Sequence, residues 1–86
     1  MTKPTIMVVD DDSGTRETLS DILADWDYQV ATFARGDVAV KAFIQSPVDV
    51  LLIDIGLPDM SGLEVLQQVR ENKPDVAVVI MTGYAA

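Results

Sequence analysis

The sequence predicts an α/β fold with a doubly wound parallel sheet, and three observations carry that expectation. Short apolar runs of strand length alternate with stretches of helical periodicity. The connections between them are short, as in successive βα units. Acidic residues stand at the ends of the apolar runs, where open α/β sheets place their ligands. The stretch Val48–Gly62 organises the rest. Val50–Ile53 has the length and branching of a strand buried on both faces and is followed by the carboxylate of Asp54. Gly56, Pro58 and Gly62 then prevent simple continuation of strand or helix.

In chain order, Thr5–Val9 reads as a first buried strand, stopped by Asp10, Asp11 and Asp12. Asp12 or Ser13 caps a helix running to about Trp26, with Leu19, Ile22, Leu23 and Trp26 forming the apolar stripe. Trp26 and Phe43 are expected in the core. Tyr28–Phe33 alternates and suits a strand nearer an edge. Gly36 and Asp37 open a second helix through about Gln45, with Ala39, Val40, Phe43 and Ile44 inward, and Ser46-Pro47 ends it. The central strand spans about Val48–Ile53. Ser61-x-x-Glu64 is a capping-box pattern, followed by a helix with Leu63, Leu66 and Val69 inward, closed by Asn72-Lys73-Pro74. Val76–Met81 is a fourth buried strand, followed by Thr82-Gly83-Tyr84. The order is βαβαβαβ.

Size and composition narrow the function. A chain of 86 residues makes one small domain. Its net charge of −8 disfavours nucleic acid and anionic membranes as direct partners and is compatible with cation binding. With no cysteine and no histidine, a disulfide framework, a thiolate or His-ligated zinc site and histidine acid–base catalysis are excluded. No run reaches the length of a signal-peptide core or a membrane span, which predicts a cytoplasmic protein.

If the first and third strands are neighbours, Asp10, Asp11 and Asp12 meet Asp54 in one crevice, with Thr82 at the end of the fourth strand. Clustered carboxylates repel one another unless a cation neutralises them. Oxygen ligands without His or Cys favour Mg2+. An aspartate can act as a nucleophile toward phosphorus, forming an acyl phosphate, and a threonine hydroxyl can hydrogen-bond a phosphoryl oxygen. Singly, each feature has a plainer reading: an acidic run is a solvated loop with a helix cap, and an aspartate after a strand terminates it. Joint placement at three strand ends favours the chemical one.

From Thr5 onward the chain resembles the receiver domain of two-component response regulators. The matching motifs are Val8-Val9-Asp10-Asp11-Asp12, Leu51-Leu52-Ile53-Asp54, Leu57-Pro58-Asp59-Met60-Ser61-Gly62-Leu63-Glu64 and Ile80-Met81-Thr82-Gly83-Tyr84. The resemblance implies a flavodoxin-like sheet of order 2-1-3-4, a phosphoacceptor at Asp54 and a histidine kinase or phosphotransfer protein as donor. It further implies Mg2+ held by Asp11 directly, by Asp10 through water, by Asp54 and by the backbone carbonyl of Gly56. Thr82 matches the switch hydroxyl, and Gly83 a small residue leaving the phosphoryl site accessible. Asp12 is left to helix capping. The pattern around Met81–Tyr84 is similar to receivers joined to transcriptional activators.

The family's fourth helix, fifth strand with its phosphoryl-pairing lysine, and fifth helix have no counterpart in the 86 residues. The domain is therefore expected to be incomplete at its C-terminus, with no catalytic lysine. Lys73 falls at the opposite end of the sheet. An uncovered sheet surface and an open fourth strand predict self-association. Two other functions compete: a fragment acting only as an interaction module, and a phosphatase resembling the haloacid dehalogenases with Asp10 as nucleophile. The second leaves Asp54 idle and has Gly14 where that family places a threonine. The receiver reading makes the protein no enzyme beyond its own phosphorylation and dephosphorylation.

Overall fold

The computed structural model describes residues 3–81. Its elements are β1 (Thr5–Val9), α1 (Ser13–Asp25), β2 (Gln29–Phe33), α2 (Gly36–Gln45), β3 (Val50–Asp54), α3 (Gly62–Asn72) and β4 (Ala77–Met81). All strand pairs are parallel, and the sheet order is β2-β1-β3-β4. Both the predicted element order and the predicted sheet order are therefore found. Among the described residues, no helix is long and apolar enough to cross a membrane.

The two faces of the sheet are covered differently. Met7 and Val9 of β1 and Leu51 and Ile53 of β3 point to one face, against Ala39, Val40 and Phe43 of α2 and Val65 and Val69 of α3. Phe43 is fully buried there, as expected. On the opposite face Ile6 and Val8 meet Leu23 of α1, with Leu19, Tyr28, Val30, Val50 and Leu52 packed around them. Because β1 is central and covered on both sides, Ile6–Val9 are consecutively apolar rather than alternating.

Several side chains predicted to be inward are not. Trp26 is 67% exposed and Ile22 42%. Helix α1 packs over β1 and β2 through Leu23 and Leu19. Ile22 and Trp26 lie on its flank, with Thr15, and among the described residues no helix packs against that flank. Trp26 is also past the helix, as its C-cap. In α2, Gly36, Ala39, Val40 and Phe43 form the buried stripe, and Ile44, about 100° round the helix from Phe43, is exposed.

In α3 the buried positions are Gly62, Val65 and Val69, while Leu63 is exposed and Leu66 half-buried. Gly62 fixes this rotation. A Cβ there would lie 2.9 Å from the Asp54 carbonyl oxygen and 2.9 Å from Ile55 Cα, so only glycine allows the helix to start against the end of β3.

Strand β4 is not buried as predicted: among the described residues it lies at the edge of the sheet, and Val79 and Ile80 are 48% and 37% exposed. Lys73 sits at the amino end of the sheet, donating from Nζ to the Val48 carbonyl at 3.1 Å.

Candidate functional site

Parallel pairing of β1 with β3 sets Val9 opposite Ile53, so Asp10 and Asp54 leave the sheet at the same level. Asp11 follows at the start of the turn into α1. One carboxylate oxygen from each of Asp10, Asp11 and Asp54 lies within 4.8 Å of the others. The sequence-predicted acidic residues are thus brought together, with Asp10 only 5% exposed, Asp54 half-buried and Asp11 exposed.

Asp10 and Asp54 are held by local hydrogen bonds. The Asp10 backbone N–H donates to the Phe33 carbonyl (3.0 Å), extending the β1–β2 ladder by one residue. Its Oδ1 accepts from the Asp12 N–H at 2.9 Å. Arg16 donates from Nη1 to the Asp10 carbonyl oxygen at 2.7 Å, bracing the turn from α1. Asp54 Oδ1 accepts from the Gly56 N–H at 3.1 Å, which orients the carboxylate at the crevice.

Asp12 is the N-cap of α1, as one of the two sequence alternatives had it. Its Oδ2 accepts from both the N–H and the hydroxyl of Thr15, each at 2.7 Å. Those bonds, the hydroxyl first, hold its carboxyl below the usual range.

Burial pushes the Asp10 carboxyl above its ordinary value. The hydrogen bond from Asp12 opposes this, and the negative charges of Asp54, Asp11 and Asp12 add to it. A half-enclosed set of mutually repelling carboxylates that includes one nearly buried member fits a hard divalent cation. The donors are all oxygen, as Mg2+ requires.

The loop after β3 is pinned at three points. The Gly62 N–H donates to the Ile55 carbonyl at 3.3 Å, closing its base. Gly56 is tied to Asp54. At the far side, Asp59 accepts from the Gly36 N–H on Oδ1 and the Asp37 N–H on Oδ2, both at 2.9 Å. Those two bonds pull its carboxyl down to about 2. Ser61 caps α3 by accepting from the Leu63 N–H at 3.1 Å, while the Glu64 N–H donates to the Ser61 carbonyl, so the predicted reciprocal Ser61–Glu64 box is replaced by a serine cap.

Thr82 and Gly83 lie outside the described residues, although Met81, the residue before them, pairs with Asp54 in the β3–β4 register. Sequence reasoning assigned no role to Asp59 or Arg16. A signal for Asp59 was present: the residue before α2 is Arg35, which makes no side-chain cap bond, so the helix start needs an acceptor from elsewhere.

Comparison with known proteins agrees with this geometry. The family described as response regulator receiver domain matches residues 6–86. The DNA-binding transcriptional regulator NtrC of Salmonella typhimurium is 38% identical over 85 residues, covering 99% of this chain and 18% of NtrC. A cyclic di-GMP phosphodiesterase of Thermotoga maritima is 35% identical over 80 residues, covering 93% of this chain and 21% of that protein. The chain therefore spans about a fifth of the length of these relatives, whose names differ in activity.

Among solved structures, the response regulator TrrA of Thermotoga maritima in complex with Mg2+-BeF superposes with a TM-score of 0.89. It is 35% identical, and the match covers 95% of this chain and 71% of TrrA. A chain in the complex of TrrA with the histidine kinase ThkA gives a TM-score of 0.87 and 35% identity over 96% of this chain and 72% of that one. Sheet order, acidic crevice and sequence likeness converge, and the chain belongs to the response regulator receiver domain family.

Proposed function

We propose that this receiver accepts a phosphoryl group on Asp54 from a histidine kinase or phosphotransfer protein. The observation that carries the reading is the convergence of Asp10, Asp11 and Asp54, with carboxylate oxygens inside 4.8 Å, at the carboxyl end of the sheet. A carboxylate oxygen of Asp54 attacks phosphorus, and the bond from phosphorus to the donor imidazole nitrogen breaks as the acyl phosphate forms. Gly56 holds Asp54 Oδ1 in a hydrogen bond, which favours attack by the other oxygen. Asp10 is a poor nucleophile by comparison, being nearly buried and engaged by Asp12, which speaks against the phosphatase alternative.

Asp11, Asp54 and the Gly56 carbonyl would hold Mg2+ directly and Asp10 through water. When bound, the ion supplies positive charge that offsets the carboxylates and the phosphoryl oxygens. Thr82 is assigned to the switch hydroxyl. In a longer protein the readout is control of transcription, by likeness to NtrC. TrrA in complex with Mg2+-BeF and TrrA with ThkA support the ion and the kinase as partners. A cytoplasmic location accompanies that chemistry.

A second reading, association through the open edge of β4, is favoured by the exposure of Val79 and Ile80 on an edge strand. Concentration-dependent elution is its expected sign, and a monomer at all concentrations contradicts it.

The test of the first reading is intact mass after incubation with a small phosphodonor, with and without Mg2+. Wild type is expected to gain one phosphoryl group only with Mg2+, and Asp54→Asn none. A gain by Asp54→Asn equal to wild type overturns the assignment.

A further inference from the structure

The acceptor at the start of α2 comes from the loop that leaves the phosphoacceptor strand. Helix α2 begins with Gly36 and Asp37, and its own N-cap residue, Arg35, makes no side-chain cap bond. Asp37 serves Val38 with its own carboxylate (2.8 Å) and is paired with Arg35 (3.1 Å). The two N–H groups of Gly36 and Asp37 are satisfied by the two oxygens of Asp59, more than twenty residues away in sequence. With one oxygen on each N–H, the carboxylate can neither rotate nor slide without losing a charge-assisted bond.

Packing reinforces the grip. A Cβ on Gly36 would fall 2.5 Å from Met60 Cγ and 2.9 Å from Val65 Cγ2, so Met60, next to Asp59, fits against bare backbone at the same helix start. The loop is thereby fixed at its apex as well as at its two ends, where Gly56 is bonded to Asp54 and Gly62 to Ile55.

We propose that Asp59 is a positioning residue for the phosphoacceptor: by gripping the start of α2 it holds the Ile55–Gly62 loop, and with it Gly56 and the Asp54 carboxylate, in the arrangement that takes the cation and the phosphoryl group. The inference rests on the reading of Asp54 as phosphoacceptor. Asp59 touches neither the phosphoryl group nor the ion. It acts through the loop, as outer partners of metal ligands do, and such partners typically change metal affinity about 10- to 100-fold.

The experiment compares wild type, Asp59→Ala, Asp59→Asn and, as a control, Asp49→Ala, which removes a carboxylate bonded to the Thr5 N–H at the other end of the sheet. Two quantities are read: amide hydrogen exchange at Gly56 and Gly62, and Mg2+ affinity by calorimetric titration. In Asp59→Ala, exchange at both glycines is expected to rise about tenfold and the Mg2+ dissociation constant to rise about tenfold. Asp59→Asn keeps one acceptor oxygen and should fall between. Asp49→Ala should lower the melting temperature while leaving both readouts at wild-type values.

Unchanged exchange at Gly56 and Gly62 in Asp59→Ala overturns the proposal, as does an equal rise in Asp49→Ala. A wild-type chain that takes up neither Mg2+ nor phosphoryl group overturns the phosphoacceptor reading instead. The exchange comparison still decides whether Asp59 fixes the loop.

Discussion

The two ends of the sheet carry the same residue type in opposite circumstances. At the amino end, Asp49 accepts from the Thr5 N–H at 2.9 Å and has Lys73 Nζ 3.9 Å away, the same ammonium that donates to the Val48 carbonyl. Its charge is answered by the chain itself. At the carboxyl end, Asp10, Asp11 and Asp54 face one another, and among the described residues no ion pair involves any of them. Arg16, the cation that reaches this end, donates to the Asp10 main chain. One end uses carboxylates to close strand ends, and the other leaves negative charge for something from solution. A parallel sheet makes this division natural, because all its strands finish at one side.

The largest effect expected from this contrast is ligand-linked stability. At about 100 times its dissociation constant, Mg2+ should stabilise wild type by about 2.7 kcal/mol. Asp49→Asn should keep that gain, whereas Asp54→Asn should lose most of it. Thermal melts with and without the ion measure both. Equal gains in all three proteins would remove the distinction between the ends.

A sharper version substitutes the same atoms at both ends. Without divalent cations, Asp49→Asn should cost about 1 kcal/mol, since it weakens a hydrogen bond to a charged acceptor and an exposed ion pair. Asp10→Asn should raise the melting temperature instead, because it removes a buried charge repelled by its neighbours while keeping an acceptor for Asp12. The same Asp10→Asn change should weaken Mg2+ binding at least about tenfold. Chemical denaturation of the pair, read against titration with the ion, checks the opposite signs.

Acid provides the smaller, graded test. The Asp10 carboxyl is raised above 3.8 in the folded chain, so its ionised form opposes folding above the raised value. Lowering the pH toward 3.8 relieves that opposition, and wild type should gain on Asp10→Asn over this interval. Asp59 runs the other way. Its folded value is about 2 against an ordinary 3.8, so its stabilisation is complete above 3.8 and lost as pH falls toward 2. Wild type should therefore lose its advantage over Asp59→Asn between those values, as measured by urea midpoints across the range.

Much of this site was legible in the chain, and the parts that were not have separate physical causes. Apolar runs followed by carboxylates placed Asp10 and Asp54 at strand ends, because a buried strand cannot carry a charge in its middle. The neighbourhood of β1 and β3 came from family resemblance, since strand pairing is a long-range choice that periodicity does not encode. Helix faces were misread where one backbone contact decided the rotation. Gly62 against the end of β3 turns α3 so that Val65, not Leu63, faces the core.

Trp26 was expected inside because it continues the apolar stripe of α1, yet it stands just past the helix as its C-cap, where the stripe no longer faces the sheet, and is exposed. Asp59 was hidden for a different reason. Its partners, Gly36 and Asp37, belong to another element, and only the missing cap at Arg35 hinted at them.

The most direct measurement locates the modified residue. After incubation with Mg2+ and a small phosphodonor, borohydride reduction converts an aspartyl phosphate to homoserine, and peptide mass spectrometry reads its position. The account predicts reduction at Asp54 alone, with Asp10, Asp11 and Asp49 untouched. Reduction at Asp10 with Asp54 intact would contradict it and make the buried carboxylate the nucleophile.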